Sequence, residues 1–107
     1  MIGHDPRTVT EKMLQQAIMD CARRLGYIAF HPFDSRKSAP GFPDCVLIKP
    51  PRLIVAELKT EKGRLSAHQE VWLHRFLQID GVEVYLWKPS QWLSGEVEAI
   101  LRGEQTA

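Results

Sequence analysis

The chain has 107 residues, 44% of them apolar and 25% charged, with a formal net charge of +1. That length suits one domain with one core, which buries roughly two thirds of the surface its unfolded chain exposes, and the composition excludes disorder. No apolar run approaches the roughly 20 residues of a membrane span and no amino-terminal segment resembles a signal peptide, so a cytoplasmic protein without a membrane partner is expected.

A single domain is expected over residues 1–107, with 1–7 and 103–107 as flexible ends. The two cysteines, Cys21 and Cys45, fall in apolar segments and read as reduced core residues rather than as a disulfide framework. A near-neutral sum is not the mark of a dedicated nucleic-acid binder, but the distribution matters more than the sum. Arg36 and Lys37 share one loop and Lys59, Lys62 and Arg64 another, while Glu96, Glu98 and Glu104 lower the total from the carboxyl end.

The first helix is expected to begin at Thr8, because Thr8-Val9-Thr10-Glu11 has the form of a capping box. Met13, Leu14, Ala17, Ile18, Cys21, Ala22 and Leu25 recur at helical spacing as one core-facing stripe, and Gly26 is placed as a left-handed stop. Tyr27 to Phe33 is aromatic and branched enough for a strand, with Pro32 at its end or on an edge. Residues 34–43, "DSRKSAPGFP", have neither periodicity and read as a loop.

Two apolar runs follow, 45–48 and 53–58, separated by Lys49-Pro50-Pro51-Arg52, a spacing that predicts an antiparallel hairpin. The second run is apolar at both parities and reads as a central strand covered on both faces. Ser66-Ala67-His68-Gln69 is a second capping signature, opening a helix that ends at Asp80-Gly81. Val82 to Trp87 reads as a short strand, and Pro89-Ser90 introduces one last helix through Leu101. The order helix, three strands, helix, strand, helix predicts an α/β fold with a mixed central sheet flanked by helices.

The charges in "GFPDCVLIKPPRLIVAELKTE", residues 41–61, are the informative feature. Strand residues two apart share a face, so Glu57 and Lys59 point the same way, and the hairpin turn brings Asp44 about level with them. Two carboxylates held close repel each other, and burial raises their pKa values unless a cation compensates. A Mg²⁺ ion, held by Asp44, Glu57 and the backbone carbonyl of Leu58, meets that demand, and Lys59 beside it can orient or activate a water. The competing reading is a surface strand end whose charges pair locally.

"GFPD" at 41–44, "AELKTEKGRLSAHQ" at 56–69 and "TEKMLQQA" at 10–17 resemble the PD-(D/E)xK nuclease superfamily, and within it the virus-type replication-repair nuclease (VRR-NUC) family. The resemblance implies a restriction-endonuclease-like core and a Mg²⁺- or Mn²⁺-dependent endodeoxyribonuclease. It places Asp44 and Glu57 as metal ligands and Lys59 as the residue assisting the water. It also implies that Gln69 is the helix-borne catalytic glutamine, Glu11 the first-helix acid near the metal, and Gln15 a supporting polar residue. Small stand-alone members are similar to Holliday-junction resolvases, which implies a branched or duplex DNA substrate, a homodimer and a bacterial cell, with a phage or prophage source.

Arg36, Lys37 and Lys62 flank the expected site and suit phosphate contacts, with solvated surface as the alternative. A non-catalytic nucleic-acid-binding module of the same fold, or a nuclease subunit needing a partner protein, are the competing functions. His4, His31, His68 and His74 lack zinc-binding spacing, since His68 and His74 are six apart and no Cys-x-x-Cys is present. Trp72, Trp87 and Trp92 read as core or interface residues.

Overall fold

A computed structural model describes residues 3–32 and 39–104. Helix α1 spans Glu11–Arg24, and its cap is Thr10, whose hydroxyl accepts from the Met13 N–H at 3.1 Å. Thr8, the expected cap, does not cap this helix. Asp5 and Pro6 start a separate 3₁₀ turn over Pro6–Thr8, and the Thr8 hydroxyl is drawn back to the Asp5 carbonyl at 2.8 Å. Proline suits the first helical position because its missing N–H would be unpaired there anyway. Glu11 therefore opens the helix, and its carboxylate is not used by a capping box.

Leu14, Ile18, Met19, Cys21 and Ala22 form the buried stripe of α1. Gly26 ends it as expected, with φ +94°, donating to Arg23 O at 3.0 Å while Tyr27 N donates to Ala22 O at 2.9 Å. This paired closure satisfies carbonyls that the helix end would otherwise leave open.

Strand β1 is Ile28–Phe30, β2 is Cys45–Lys49 and β3 is Arg52–Leu58. The hairpin forms as its sequence predicts, with Cys45 opposite Ala56 and Lys49 opposite Arg52 across Pro50-Pro51. Helix α2, Ala67–Leu77, follows the Ser66 capping box. Strand β4, Val82–Trp87, then lies parallel to β3, which makes the sheet mixed in the order β1-β2-β3-β4.

The single last helix of the sequence reading is two: α3, Pro89–Leu93, and α4, Glu96–Arg102. Gly95 separates them at φ +88°, a left-handed conformation that interrupts the helical run.

One face of the sheet carries Cys45, Leu47, Ile54, Ala56, Leu58 and Trp87, which pack with α1, Val97 and Leu101 in the main core. The other carries Val55 and Glu57, and α2 lies over this side, its Leu73 bordering a groove with Val84 and Leu86. β3 is covered on both faces from Ile54 onward, so the central-strand expectation holds. Both cysteines are buried free thiols. At the opposite end of β3 from Leu58, Arg52 forks onto Glu83 with two bonds of 2.7 Å and reaches Tyr27 Oη and Ile100 O, tying sheet, loop and α4 together.

Candidate active site

The chemistry collects where β3 ends. The β2–β3 ladder stops at Cys45 and Ala56, and continuing its register places Asp44 opposite Glu57. Past the ladder, the Leu58 N–H has no strand partner on that side, and the Asp44 carboxylate takes the place of one, Oδ2 accepting at 2.8 Å. On the other side the Lys59 N–H donates to Trp87 O at 3.1 Å, so the backbone from Leu58 to Lys59 is held from both neighbouring strands. Asp44 is thus fixed through one oxygen at the mouth of the sheet.

Glu57 is 1% exposed and is the sole buried charged residue among the described residues. Its Oε2 has no hydrogen-bond partner. Burial is the main cause that pushes its carboxyl up to about 9, followed by hydrogen bonding to Asp44 and the Asp44 charge. Lys59 opposes the shift, and Glu11 adds to it. A buried carboxyl oxygen without a partner is costly, and a bound ion that completes it removes that cost.

A cleft of about 220 Å³ opens beside Asp44, lined by Glu11, Lys12, Gln15, Asp44 and Leu58 but not by Glu57 or Lys59. The Leu58 side chain is in the core, so its backbone borders the cleft. Gln15 docks α1 onto the site, its Nε2 donating to Asp44 O at 3.2 Å. Among the described residues no group of three or more His, Cys, Asp or Glu is placed to hold a metal ion. Glu11 lines the cleft and acts on Glu57 through its charge. Two carboxylates and a carbonyl remain, an all-oxygen set that suits Mg²⁺ or Mn²⁺ and not a thiol- or imidazole-seeking metal. The orphaned Glu57 Oε2 is the observation that fits a cation there.

Gln69 is engaged elsewhere through part of its side chain. Its Oε1 accepts from Ser66 N at 2.8 Å and its own N–H donates to the Ser66 hydroxyl at 3.2 Å, a complete capping box. It does not line the cleft. Lys62 lines a neighbouring cleft with Arg7, Thr60 and Glu61. Arg36 and Lys37 lie outside the described residues. A groove of about 920 Å³ between α2 and β4 is lined mainly by apolar side chains and by none of Asp44, Glu57 or Lys59.

Sequence reasoning missed what holds "GFPD" in place. Trp72 Nε1 donates to Pro40 O at 2.9 Å, and Phe42 meets Trp72 and Phe76 edge-on with ring centres 5.1 and 6.2 Å apart. Gly41 has φ +87°, and a Cβ there would lie 2.4 Å from the carbonyl carbon of His68. Only glycine permits both that conformation and that contact. The segment before Asp44 is therefore clamped to the first turns of α2. The Pro40-Gly41 pair signalled a turn, but nothing local signalled the partner across it.

The VRR-NUC domain model matches residues 5–90, a span that contains every element from the 3₁₀ turn through β4 and all of the cleft residues. No curated protein and no solved structure matches the chain.

Proposed function

Since this chain belongs to the VRR-NUC family of nucleases, we propose that it is a Mg²⁺- or Mn²⁺-dependent DNA endonuclease, selective for branched DNA and working as a homodimer. The observation that carries the metal-dependent reading is Glu57 Oε2, buried without a partner beside Asp44, which itself lines the cleft. Asp44, Glu57 and the Leu58 carbonyl would hold the ion. Bound there, it supplies positive charge to the phosphoryl oxygens and acidifies the attacking water.

The protein's own groups do the rest. Lys59 follows Glu57 by two residues on the same face, so its ammonium serves the same site, where it orients the water and offsets charge developing on the phosphate. Asp44 is held by the Leu58 N–H and is therefore positioned before substrate arrives. Gln15 keeps α1 against this loop. Gln69 keeps its side-chain carbonyl in the Ser66 cap and does not line the cleft, so no step is assigned to it. Branched-DNA selectivity and the dimer rest on similarity to the small resolvases of the family, in which twofold symmetry provides two cuts.

Cleavage of four-way-junction, flap, duplex and single-stranded DNA with Mg²⁺, Mn²⁺ or EDTA tests this reading. Lys59→Ala is expected to lower the rate by 10²-fold or more, the usual scale for a positioned proton-transfer or charge-stabilising group. Absence of cutting on every substrate would remove the enzyme reading and leave a binding module of the same fold. Activity that survives Lys59→Ala would remove the role given to that lysine.

A further inference from the structure

Two clefts open at the end of the sheet where β3 finishes. The carboxylate cleft has one cation in its lining, Lys12. The second cleft, about 270 Å³, is lined by Arg7, Thr60, Glu61 and Lys62. The chain joins them on both sides: Leu58 and Thr60 are two apart on the outgoing strand, and Arg7 and Glu11 are four apart on the way into α1.

The supports of both clefts are fixed by bonds. Gln15 ties α1, and with it Lys12 one turn earlier, to Asp44. The 3₁₀ turn that carries Arg7 is capped by Asp5, which takes Arg7 Nε and Nη2 at 3.2 and 3.1 Å, while the Arg7 side chain stays 72% exposed. Glu61 Oε2 accepts from Ser90 N at 3.0 Å, so this acid is committed to the start of α3. Among the described residues neither Lys12 nor Lys62 has an ion-pair partner, and both are exposed.

We infer that Lys12, Arg7 and Lys62 form a track for successive backbone phosphates of the DNA strand being cut, Lys12 beside the reacting phosphodiester and the Arg7–Lys62 cleft at the next position. This rests on the nuclease reading and adds to it the residues that position the strand. The chain's formal charge of +1 conceals the track because the acids beside it are already engaged, Asp5 with Arg7 and Glu61 with Ser90 N, while Asp44 and Glu57 serve the metal site. Such contacts set register and orientation without reading sequence, which suits a substrate chosen by shape.

Binding of fluorescein-labelled four-way-junction and duplex DNA, in Ca²⁺ to prevent cutting, is read by anisotropy from 50 to 200 mM salt. Lys12→Met and the double variant Arg7→Gln, Lys62→Met are each expected to weaken binding 3- to 10-fold or more per cation at roughly 0.1 M salt. The salt slope should fall by about 1 for each cation removed. Arg23→Ala, at the far end of α1, should change neither. Wild-type affinity and slope in both variants would overturn the track while leaving the nuclease reading intact. A wild-type protein that binds no DNA would overturn both.

Discussion

Glu57→Gln replaces the titratable carboxyl of the buried site with a neutral amide of nearly the same shape. In metal-free wild type the folded protein holds a proton on Glu57 up to about pH 9, whereas the unfolded chain releases it near the ordinary 4.5. Between those values folding takes up a proton, so this contribution to stability is complete below about pH 4.5 and is lost as pH rises toward 9. The limiting slope is about 1.4 kcal/mol per pH unit, which over two units from pH 5 to 7 amounts to on the order of 2–3 kcal/mol. Other shifted groups leave that window clear. Glu83 is held below the usual carboxylate range by its bonds to Arg52, and its contribution is lost only as pH falls below about 4.5. Burial raises the thiol of Cys45, and Tyr85 is pushed up to about 12, so both act only above about pH 9.

Urea unfolding followed by tryptophan fluorescence, in EDTA from pH 5 to 8.5, should therefore show wild-type stability falling with pH and Glu57→Gln nearly flat. At pH 8 the variant is expected to be the more stable of the two. Mg²⁺ at about 100 times its dissociation constant should add roughly 2.7 kcal/mol to the wild type and nothing comparable to the variant. Cleavage by the variant should be lost. Parallel pH profiles, or a variant less stable than wild type at pH 8 in EDTA, would refute the claim that burial raises the Glu57 carboxyl at this site.

Gly41→Ala should destabilise the protein by about 2 kcal/mol or more in the same unfolding assay, since a Cβ would meet His68 backbone at a φ of +87°; a neutral result would mean the clamp is not as tight as described. Trp72→Phe keeps a ring against Phe42 but removes the 2.9 Å bond to Pro40 O, so it should cost about 1 kcal/mol and raise the Mg²⁺ concentration needed for half-maximal cleavage. An unchanged Mg²⁺ requirement would separate that clamp from Asp44. Arg52→Met leaves Glu83 and Tyr27 Oη without their cation in a half-buried setting, with an expected loss of about 2–3 kcal/mol and little change in activity per folded molecule. A change in rate as large as that from Lys59→Ala would contradict its placement away from the site.

Local patterns made most of the elements legible. The α1 stripe from Leu14 onward, the Gly26 stop, the hairpin over Pro50-Pro51 and the Ser66 capping box are all written in runs of a few residues, and each formed, while Met13, expected in the stripe, is exposed. The errors arose where two local choices competed. Thr8 and Thr10 both resemble caps, and the Pro6 turn decided between them by engaging the Thr8 hydroxyl with Asp5. Ser94-Gly95 was compatible with a continuous helix, but the left-handed φ of Gly95 divides it.

The sequence by itself determined that Asp44, Glu57 and Lys59 would meet, because strand parity and one short turn set their relative positions. Tertiary structure decided what that meeting amounts to. Only the packing of both sheet faces buries Glu57 and leaves its Oε2 unpartnered, and only the end of the β2–β3 ladder turns Asp44 onto the Leu58 N–H. Gln69 is drawn into its cap by contacts three residues away, whereas Gln15 and Lys12 reach the carboxylate cleft, and Arg7 the cleft beside it, across separations of tens of residues. Periodicity specifies which face a side chain takes, but which distant segment covers that face depends on how the whole core packs.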